Sequence, residues 1–520
     1  MSAPSSPETV LKAAGPAADS DRDRILIIGA GIAGLTCGCY LQMQGYQTEI
    51  VEAGDMPGGL CVGWQRGAFV FDGCLRWLIG VDPASFFHRL WSELGALGER
   101  RILRHEEFLR FESPNGQALS MTRDLDRLAR DMKRIGPEDG ARIDKLIAAA
   151  RRCAPLDPPD KPLELMNVFE KTRLLVRYLP ILITVGRWKN RELGAYAATY
   201  KSRFLQEALL ALGGDPRMSA LVVMMVLAWR STPNAGFVVG GSRAFNEAIV
   251  NRYQGLGGRL RCHAEVDEIL VENGKACGVR CAGGEMLRAG TVVSCADGHA
   301  TIFKMLRGKY LTSRVRRLYE KEDLFPGLLQ ISIGAGRTWP DTPHDLVLQL
   351  EQPLMVDDAT RHHRIEVAIS GAESGLCPPG TTIMLVRFFS RHEFWAELRE
   401  RAPEEYKQRK DAILRQVISI LDRRFPGLEQ SILNTDVASP ATFSRFTGNW
   451  RGSFQGWLPT PRILGRRIPR TLPGLDCFYM AGQWIEPGGG VPSVALSGFY
   501  VSRLICERDG KKFTTRRPTP

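Results

Sequence analysis

A glycine-rich segment near the start of the chain has the composition of a phosphate-binding turn. Residues 29–34, Gly-Ala-Gly-Ile-Ala-Gly, follow an apolar run at 24–28 and precede a helical pattern. In such a turn the first glycine allows a tight bend, the second lets the backbone approach a pyrophosphate, and the third lets the helix pack on the strand. Glu52 ends the next apolar run about 20 residues further on, where a carboxylate can accept hydrogen bonds from ribose hydroxyls. This spacing predicts a site for an adenine dinucleotide.

Two further glycine-rich segments lie far apart in the chain. Residues 52–59 read Glu-Ala-Gly-Asp-Met-Pro-Gly-Gly, and residues 479–498 contain four glycines before a Val-Pro-Ser segment. Together with 239–245 and 292–297, they resemble the amine oxidase superfamily of flavoproteins and, within it, the phytoene desaturase, carotenoid isomerase and retinol saturase branch. The resemblance implies FAD as the cofactor. It also implies an α/β fold, with a Rossmann-like FAD-binding domain of the GR2-type flavoproteins joined to a discontinuous α+β substrate domain.

The glycine turn and the resemblance together give a set of expected FAD contacts. In the family the second glycine pair passes close to the cofactor, and unpaired N–H groups at the start of the last helix face the flavin. Leu60 stands where many members carry an arginine that contacts the cofactor. The leucine lacks that positive charge, but the binding loop itself is kept. The expected cofactor-binding residues are Gly29, Gly31, Ala33, Gly34, Glu52, Ala53, Gly58, Gly59, Leu60, Val266, Gly482, Gln483, Val491, Pro492 and Ser493.

Polar side chains near these loops are candidates for proton transfer. Residues 69–78 occupy the stretch that usually reads Phe-Asp-x-Gly and lines the flavin, although the rest of the stretch departs from the carotenoid desaturases. No catalytic spacing singles out one residue, and each could instead position a loop or a helix. The candidate catalytic residues are Asp72, Arg76, Trp484 and Glu486.

Aromatic side chains are concentrated in the same stretch and shortly before the last glycine segment. Residues 443–458 combine aromatics and glycines with two arginines. Two interpretations stay open: these aromatics line a pocket for a planar or polyene substrate, or they pack the seam between domains. The candidate substrate-binding residues are Trp77, Trp450, Phe454 and Trp457.

The pattern of elements predicts a chain that leaves a sheet and returns to it. Runs at 24–28 and 48–52 flank a helix in a βαβ unit, and residues 83–232 read as helical segments. Strand-like runs return from residue 258, and a charged helix is predicted at 403–424. The predicted units are a disordered leader (1–21), an FAD-binding domain (22–82, 236–305 and 465–510), a substrate-binding domain (83–235 and 306–464) and a basic tail (511–520).

Composition excludes several other classes of protein. The formal net charge is +12 at pH 7, but the basic residues are scattered and no nucleic-acid-binding motif accompanies them, so we expect no nucleic-acid partner. Histidine and cysteine spacings match no metal framework, and we predict no metal. The first residues lack the order of a secretory signal, which predicts a cytoplasmic protein with reduced thiols.

One long apolar segment, residues 174–188, is too short to span a bilayer. It is interpreted either as a buried helix broken near Pro180 or as a patch that enters one leaflet and admits a lipid-soluble substrate. The basic net charge favours the second interpretation, a peripheral association with the membrane surface.

The leading functional hypothesis, implied by the resemblance, is an FAD-dependent oxidoreductase that desaturates, saturates or isomerises an isoprenoid or carotenoid-like chain. An amine or amino-acid oxidase is the first alternative. Such enzymes commonly place a lysine near the flavin, and no lysine occurs between Lys321 and Lys407 or between Lys410 and Lys511. The second alternative is a non-catalytic prenyl-binding escort protein, which the intact glycine segments oppose. Oxygen, a quinone or another redox protein remains open as the electron partner.

Overall fold

The computed structural model describes residues 23–518, and the predicted leader at 1–21 lies outside this range. The strands are β1 (Arg24–Ile28), β2 (Gln47–Val51), β3 (Gly63–Arg66), β4 (Phe69–Asp72), β5 (Leu78–Ile79), β6 (Ile102–Leu103), β7 (Glu107–Glu112), β8 (Ala118–Thr122), β9 (Ala235–Val238), β10 (Arg259–Arg261), β11 (Val266–Glu272), β12 (Lys275–Cys281), β13 (Met286–Arg288), β14 (Thr291–Ser294), β15 (Gly327–Ala335), β16 (Asp345–Met355), β17 (Arg361–Ser370), β18 (Thr382–Ser390), β19 (Ile432–Ala438) and β20 (Phe478–Met480). The α-helices are α1 (Ile32–Met43), α2 (Phe86–Glu93), α3 (Leu125–Ile135), α4 (Gly140–Cys153), α5 (Val168–Lys189), α6 (Leu193–Ala197), α7 (Arg203–Gly213), α8 (Leu221–Arg230), α9 (Gly241–Gly255), α10 (Ser313–Lys321), α11 (His392–Arg401), α12 (Pro403–Arg424), α13 (Leu428–Ser431), α14 (Pro440–Thr447) and α15 (Val491–Arg508).

The first sheet is parallel and draws its strands from both ends and the middle of the chain. Its order is β10-β2-β1-β14-β20, with β1 at the centre. Helices α1, α9 and α15 share the apolar core on one face. Because α15 crosses α1 closely, a Cβ added at Gly498 would lie 2.4 Å from the carbonyl oxygen of Ala33. All the strands of this sheet end at the same edge, where the glycine segments follow them.

The second sheet is mixed and mostly antiparallel, in the order β19-β15-β18-β17-β16-β7-β8. Helices α11 and α12 cover one face through an apolar cluster, and the other face looks toward the interior of the molecule. Strands β7 and β8 come from the region interpreted as helical, so that interpretation is wrong for them. Strand β7 carries charged residues among its apolar ones, β8 is a short run of five residues, and each depends on a neighbouring strand for pairing.

Helix α5 departs from its expected structure. It runs unbroken through Pro180, and only Ile181 and Thr184 are buried, so the prediction of a buried, broken helix is wrong. Asn167 caps its first turn in a capping box with Glu170. Because proline has no N–H, the carbonyl group four residues earlier lacks its usual helical donor. Pro180 is exposed, so water can donate a hydrogen bond to that carbonyl instead. No helix in residues 23–518 has the length and apolarity that crossing a membrane requires.

The described part of the predicted basic tail packs against the first domain. The ring of Phe513 lies 5.9 Å from that of Tyr40 and 5.4 Å from that of Phe499. The hydroxyl of Thr515 donates to Glu93 at 2.7 Å. Phe513 and Thr515 therefore anchor the described part of the tail to the first domain, although most of residues 511–518 are exposed.

Candidate active site and cofactor cradle

The turn after β1 has the geometry that its glycines predict. Gly29 has a φ of +95°, and its N–H donates to the carbonyl of Val51 at the end of β2. A Cβ at Gly34 would lie 2.0 Å from the carbonyl oxygen of Gly29, so α1 approaches the turn too closely for any side chain there. At Gly31 an added Cβ would meet nothing within 4 Å. Open space therefore lies beside Gly31, in front of the N-terminus of α1.

The second glycine segment is joined to the first. Glu52 accepts hydrogen bonds from the N–H of Ala30 at 2.7 Å and of Gly54 at 2.9 Å, which holds its carboxylate beside the turn. The N–H of Gly58 donates to the carbonyl of Ala30, and Gly58 forms a β-bridge with Gly31. Gly59 and Leu60 follow at the same edge of the sheet. Ala53 is exposed beside Glu52, and Val266 is buried in the cluster that contains Val51.

The third glycine segment forms the N-terminal end of α15. Gly482 follows β20, and its N–H donates to the hydroxyl of Ser497 at 3.1 Å. Gln483 is half-buried next to it. The three glycines before α15 all have positive φ, and no side chain caps its first turn. The N–H groups and the positive end of the dipole of α15 therefore face the cavity at residues 487–493.

A cavity of about 1760 Å³ lies between this glycine segment and the second sheet. Its wall includes the segment after β4, the interior face of β15, β17 and β18, and parts of α8 and α5. Large apolar side chains make up much of the wall, among them Trp77, Met225, Trp229, Phe389 and Trp450. The cavity thus reaches from the cofactor loops to the exposed helix α5.

Four of the eight candidate catalytic and substrate-binding residues line the cavity. Arg76 and Trp77, from the segment after β4, lie on its wall. Trp450 and Phe454, from the aromatic segment that precedes the last glycine segment in the chain, also lie on it. The Arg76 guanidinium is paired with Asp345, with Nε to Oδ1 at 3.0 Å.

Asp72 is buried and does not line the cavity. Its carboxylate accepts hydrogen bonds from the N–H and hydroxyl of Ser242, both at 2.6 Å, and from the N–H groups of Cys74 and Leu75. Burial raises the pKa of Asp72, although the bonds from Ser242 oppose this. The four donors occupy the carboxylate, so Asp72 ties the segment after β4 to the start of α9.

Trp457, Trp484 and Glu486 also lie away from the cavity wall. Trp457 is fully buried, and its indole N–H donates to the carbonyl of Trp484 at 3.0 Å, so its assignment to the substrate pocket is wrong. The Trp484 ring packs edge-on against that of Trp457. Glu486 is paired with Arg470, and burial raises the pKa of its carboxyl. Trp457 and Arg470 therefore hold Trp484 and Glu486 in place within the third glycine segment.

Sequence reasoning missed the charged residues on the sheet that faces the cavity. Arg364, Glu366 and Arg387 project into it from β17 and β18. One signal was present: Arg387 stands alone within the apolar run Thr382–Ser390. Arginine is rarely buried unless it is paired, so an arginine at an inward position of a buried strand indicates a role other than core packing.

A model of the flavin containing amine oxidoreductase family matches residues 32–506 of the chain. The protein belongs to this family. It is an FAD-dependent oxidoreductase with the Rossmann-like FAD-binding fold of the family.

Individual relatives in this family cover almost the whole chain. The phytoene desaturase (neurosporene-forming) of Cereibacter sphaeroides is 26% identical over 93% of this chain and 95% of its own length. The chloroplastic prolycopene isomerase of Arabidopsis thaliana is 26% identical over 94% of this chain and 84% of its own. Among solved structures, cyclohexylamine oxidase from Brevibacterium oxydans aligns with a TM-score of 0.59 at 15% identity, covering 94% of this chain and 99% of that one. The structural match supports the fold.

The cradle fits the cofactor of the flavin-containing family. The open space at Gly31 leaves room for a pyrophosphate at the N-terminus of α1, and Glu52 lies where a ribose would be bound. The uncapped N-terminus of α15 supplies N–H groups for the flavin end. The residues that would hold FAD therefore come from all three glycine segments.

Proposed function

We propose that this flavoenzyme desaturates, saturates or isomerises a long unsaturated molecule of the isoprenoid or carotenoid type. The apolar wall of the cavity carries the proposal, because it runs from residues 487–493, where the flavin end of FAD would lie, to Leu174 and Leu182 on α5. Its aromatic and aliphatic wall suits a flat, apolar chain. The names of the relatives, a phytoene desaturase and a prolycopene isomerase, agree with a substrate of this kind.

The chain's own part in such a reaction is to orient the substrate and to exclude water. FAD, when bound, supplies the hydride and electron chemistry. Trp77 and Trp229, whose ring centroids lie 6.4 Å apart with the ring planes inclined at 46°, both line the cavity and can contact a conjugated chain. Arg230 lies 4.4 Å from the centre of the Trp77 ring and fixes that ring from behind.

Acidic and basic side chains both line the cavity, but arginines prevail where it meets the second sheet, and this argues against the amine oxidase alternative. A protonated amine would meet the guanidinium groups of Arg76, Arg364 and Arg387 on the wall. Like charges in a poorly hydrated cavity repel each other strongly. The interval between Lys321 and Lys407, which has no lysine, contains the strands that form this wall.

The test is to purify the protein with mild detergent, extract bound lipid, and identify it by mass spectrometry. The holoprotein is then incubated anaerobically with that lipid or with phytoene, in one sample with oxidised flavin, which can accept a hydrogen pair, and in another with flavin reduced by dithionite, which can supply one. Loss of a hydrogen pair indicates desaturation, gain indicates saturation, and unchanged mass with a new retention time indicates isomerisation. Turnover of amines, with no binding of any polyene, would overturn the proposal.

A variant that fills the cavity tests the same site. Val222 lies on the wall, so Val222→Trp is expected to weaken polyene binding about tenfold or more, because forcing excess volume costs on the order of 1–3 kcal/mol. Met286, an exposed residue on β13, supplies the control Met286→Trp. Polyene binding is measured by quenching of tryptophan fluorescence in flavin-loaded protein. Equal affinities in the two variants would count against this cavity as the substrate site.

Helix α5 is proposed as the contact with a membrane surface, through which an apolar substrate enters. Eight of the twelve exposed large hydrophobic side chains in residues 23–518 lie between Leu163 and Ile183. Lys171, Arg173 and Arg177 are exposed among them and can lie at anionic headgroups. Leu174 and Leu182 on the same helix line the cavity, so the membrane-facing surface adjoins the substrate space. The proposed location is the cytoplasmic surface of a membrane.

The double variant Val176→Asp/Leu179→Asp is expected to lose binding to vesicles of phosphatidylcholine and phosphatidylglycerol, by about tenfold or more because two apolar contacts are replaced by charges. A matched control is Leu433→Asp/Phe446→Asp, which changes two equally exposed side chains outside α5. Vesicle flotation measures the bound fraction. Equal flotation of both variants, or no flotation of the unmodified protein, would contradict the proposed contact.

A further inference from the structure

One face of the second sheet forms a floor of the cavity and carries charge. Gln330 on β15, Arg387 on β18 and Glu366 on β17 are direct cross-strand partners. Because side chains alternate between the two faces of a strand, these three project from the same face, and Arg387 and Glu366 reach the cavity. On the reverse face, the next residue, Val386, belongs to the apolar cluster under α12. Charge on this sheet is thus directed at the cavity.

Arg387 is held on two sides and keeps one nitrogen free. Its Nε donates to Oε1 of Gln330 at 2.9 Å, and its Nη2 donates to the main-chain carbonyl of Asp72 at 3.1 Å. Within residues 23–518, no acceptor bonds Nη1 and no carboxylate oxygen lies within 4 Å of the guanidinium. The free edge of a fixed guanidinium therefore faces the substrate space.

The carboxylates of the floor are already shared among other arginines. Glu366 lies 3.7 Å from Arg76 and 3.8 Å from Arg364. Asp345 is paired with Arg76 and lies 3.7 Å from Arg230. In the part of the chain that the structure describes, the positively charged groups close to this floor therefore outnumber the negatively charged ones. The guanidinium groups close to the floor are those of Arg76, Arg230, Arg364 and Arg387, and the carboxylates are those of Asp345, Glu366 and the buried Asp72.

This excess charge is present at neutral pH. Burial, with the neighbouring Arg76 guanidinium, lowers the pKa of Arg387 to about 10, so its side chain stays protonated. A pure hydrocarbon bound against the Arg387 guanidinium would displace water from this charge and offer no hydrogen bond in its place, which would cost binding free energy. A carboxylate would supply the missing acceptor in a charge-assisted hydrogen bond.

We propose that Arg387 binds a carboxylate at one end of the substrate, which makes the substrate an unsaturated isoprenoid acid and not a plain hydrocarbon. The inference rests on the proposed function, since it assigns one end of the substrate in the same cavity. The apolar wall from Trp77 to α5 then accommodates the chain. Arg387 is fixed before the ligand arrives, so little side-chain entropy is lost on binding.

The experiment compares a polyene acid with its uncharged ester. Flavin-loaded protein is titrated with all-trans-retinoic acid and with its methyl ester, and quenching of tryptophan fluorescence gives both dissociation constants. In the unmodified protein the acid is expected to bind at least about tenfold more tightly than the ester. Arg387→Gln is expected to remove this preference by weakening the binding of the acid and not that of the ester, and Arg387→Lys is expected to keep part of the preference. Arg415→Gln, at an exposed arginine of α12 that does not line the cavity, is the control and keeps the preference.

The outcomes separate this inference from the function on which it rests. Equal binding of acid and ester to the unmodified protein overturns the carboxylate site and leaves a polyene enzyme standing. Equal weakening of acid and ester by Arg387→Gln also overturns it, because the side chain would then shape the cavity only. Binding of neither probe to flavin-loaded protein overturns both. If Arg387→Gln fails to fold, equal binding of acid and ester to the unmodified protein still overturns the inference, and Arg387→Lys tests the residue itself.

Discussion

The variant Gly31→Val is expected to fold and to purify without flavin. Gly31 has an extended backbone, with φ −71° and ψ 176°, which valine adopts readily. An added Cβ meets nothing within 4 Å, so the protein itself tolerates the side chain. The same space is where a pyrophosphate approaches the backbone, and a valine there keeps the phosphates from the N-terminus of α1. Flavin content per protein, read from the visible spectrum after desalting, is expected to fall more than about tenfold.

The choice of glycine decides whether this experiment reports on the cofactor or on the fold. Gly34→Val cannot serve, because its Cβ would lie 2.0 Å from the carbonyl oxygen of Gly29 and α1 could not pack. Gly283→Val is the matched control: Gly283 is exposed and its Cβ also meets nothing within 4 Å. Circular dichroism and thermal unfolding should match for both variants and the unmodified protein. A yellow Gly31→Val protein would refute the assignment of this turn to the cofactor.

Elements with strong local signals could be predicted from the sequence. The turn after β1 can be recognised because its backbone path requires glycine at Gly29, which has a positive φ, and at Gly34, where a side chain would clash. The segment around Gly482 can be recognised by its glycines with positive φ. The helix predicted at 403–424 coincides with α12, because its charged and apolar residues alternate with helical spacing and Pro403 opens its first turn. These signals lie within a few residues of the feature that they determine.

Features that depend on distant partners could not be predicted in the same way. Trp457 and Trp450 lie seven positions apart in one aromatic segment, yet only Trp450 reaches the cavity. The role proposed for Arg387 depends on its position beside Gln330 and Glu366, its cross-strand partners on two neighbouring strands. Strand pairing over such separations sets which face a side chain occupies, and a single sequence contains no direct record of it. For helix α5 the sequence left two interpretations open for a related reason, since an apolar run has the same composition whether protein or lipid covers it.

The variant Asp345→Asn is expected to destabilise the protein by about 3–5 kcal/mol, as the removal of one partner from a buried charge network does. Asp345 is 5% exposed and serves two arginines on opposite sides, Arg76 and Arg230. The substitution keeps the shape of the side chain and removes its charge. It leaves Arg230 buried under Trp77 with no counter-charge, because Glu366 is paired with Arg76 and Arg364. A lower urea midpoint and a lower Tm are the expected observations.

An exposed ion pair and the pH dependence together identify the cause of that loss. Asp358→Asn breaks a 2.8 Å pair with Arg391 in which both side chains are about half exposed, and it should cost less than about 1 kcal/mol. Burial alone would raise the pKa of Asp345, but Arg76, with His344 and Arg230, holds it below its usual value. A carboxyl with a lowered pKa stabilises the fold above its unfolded value of about 3.9 and loses that contribution as the pH falls through the folded value. The difference in urea midpoint between unmodified protein and Asp345→Asn should therefore be full at neutral pH and shrink below about pH 4. A difference that persists unchanged in acid would assign the loss to packing and not to the charge of Asp345.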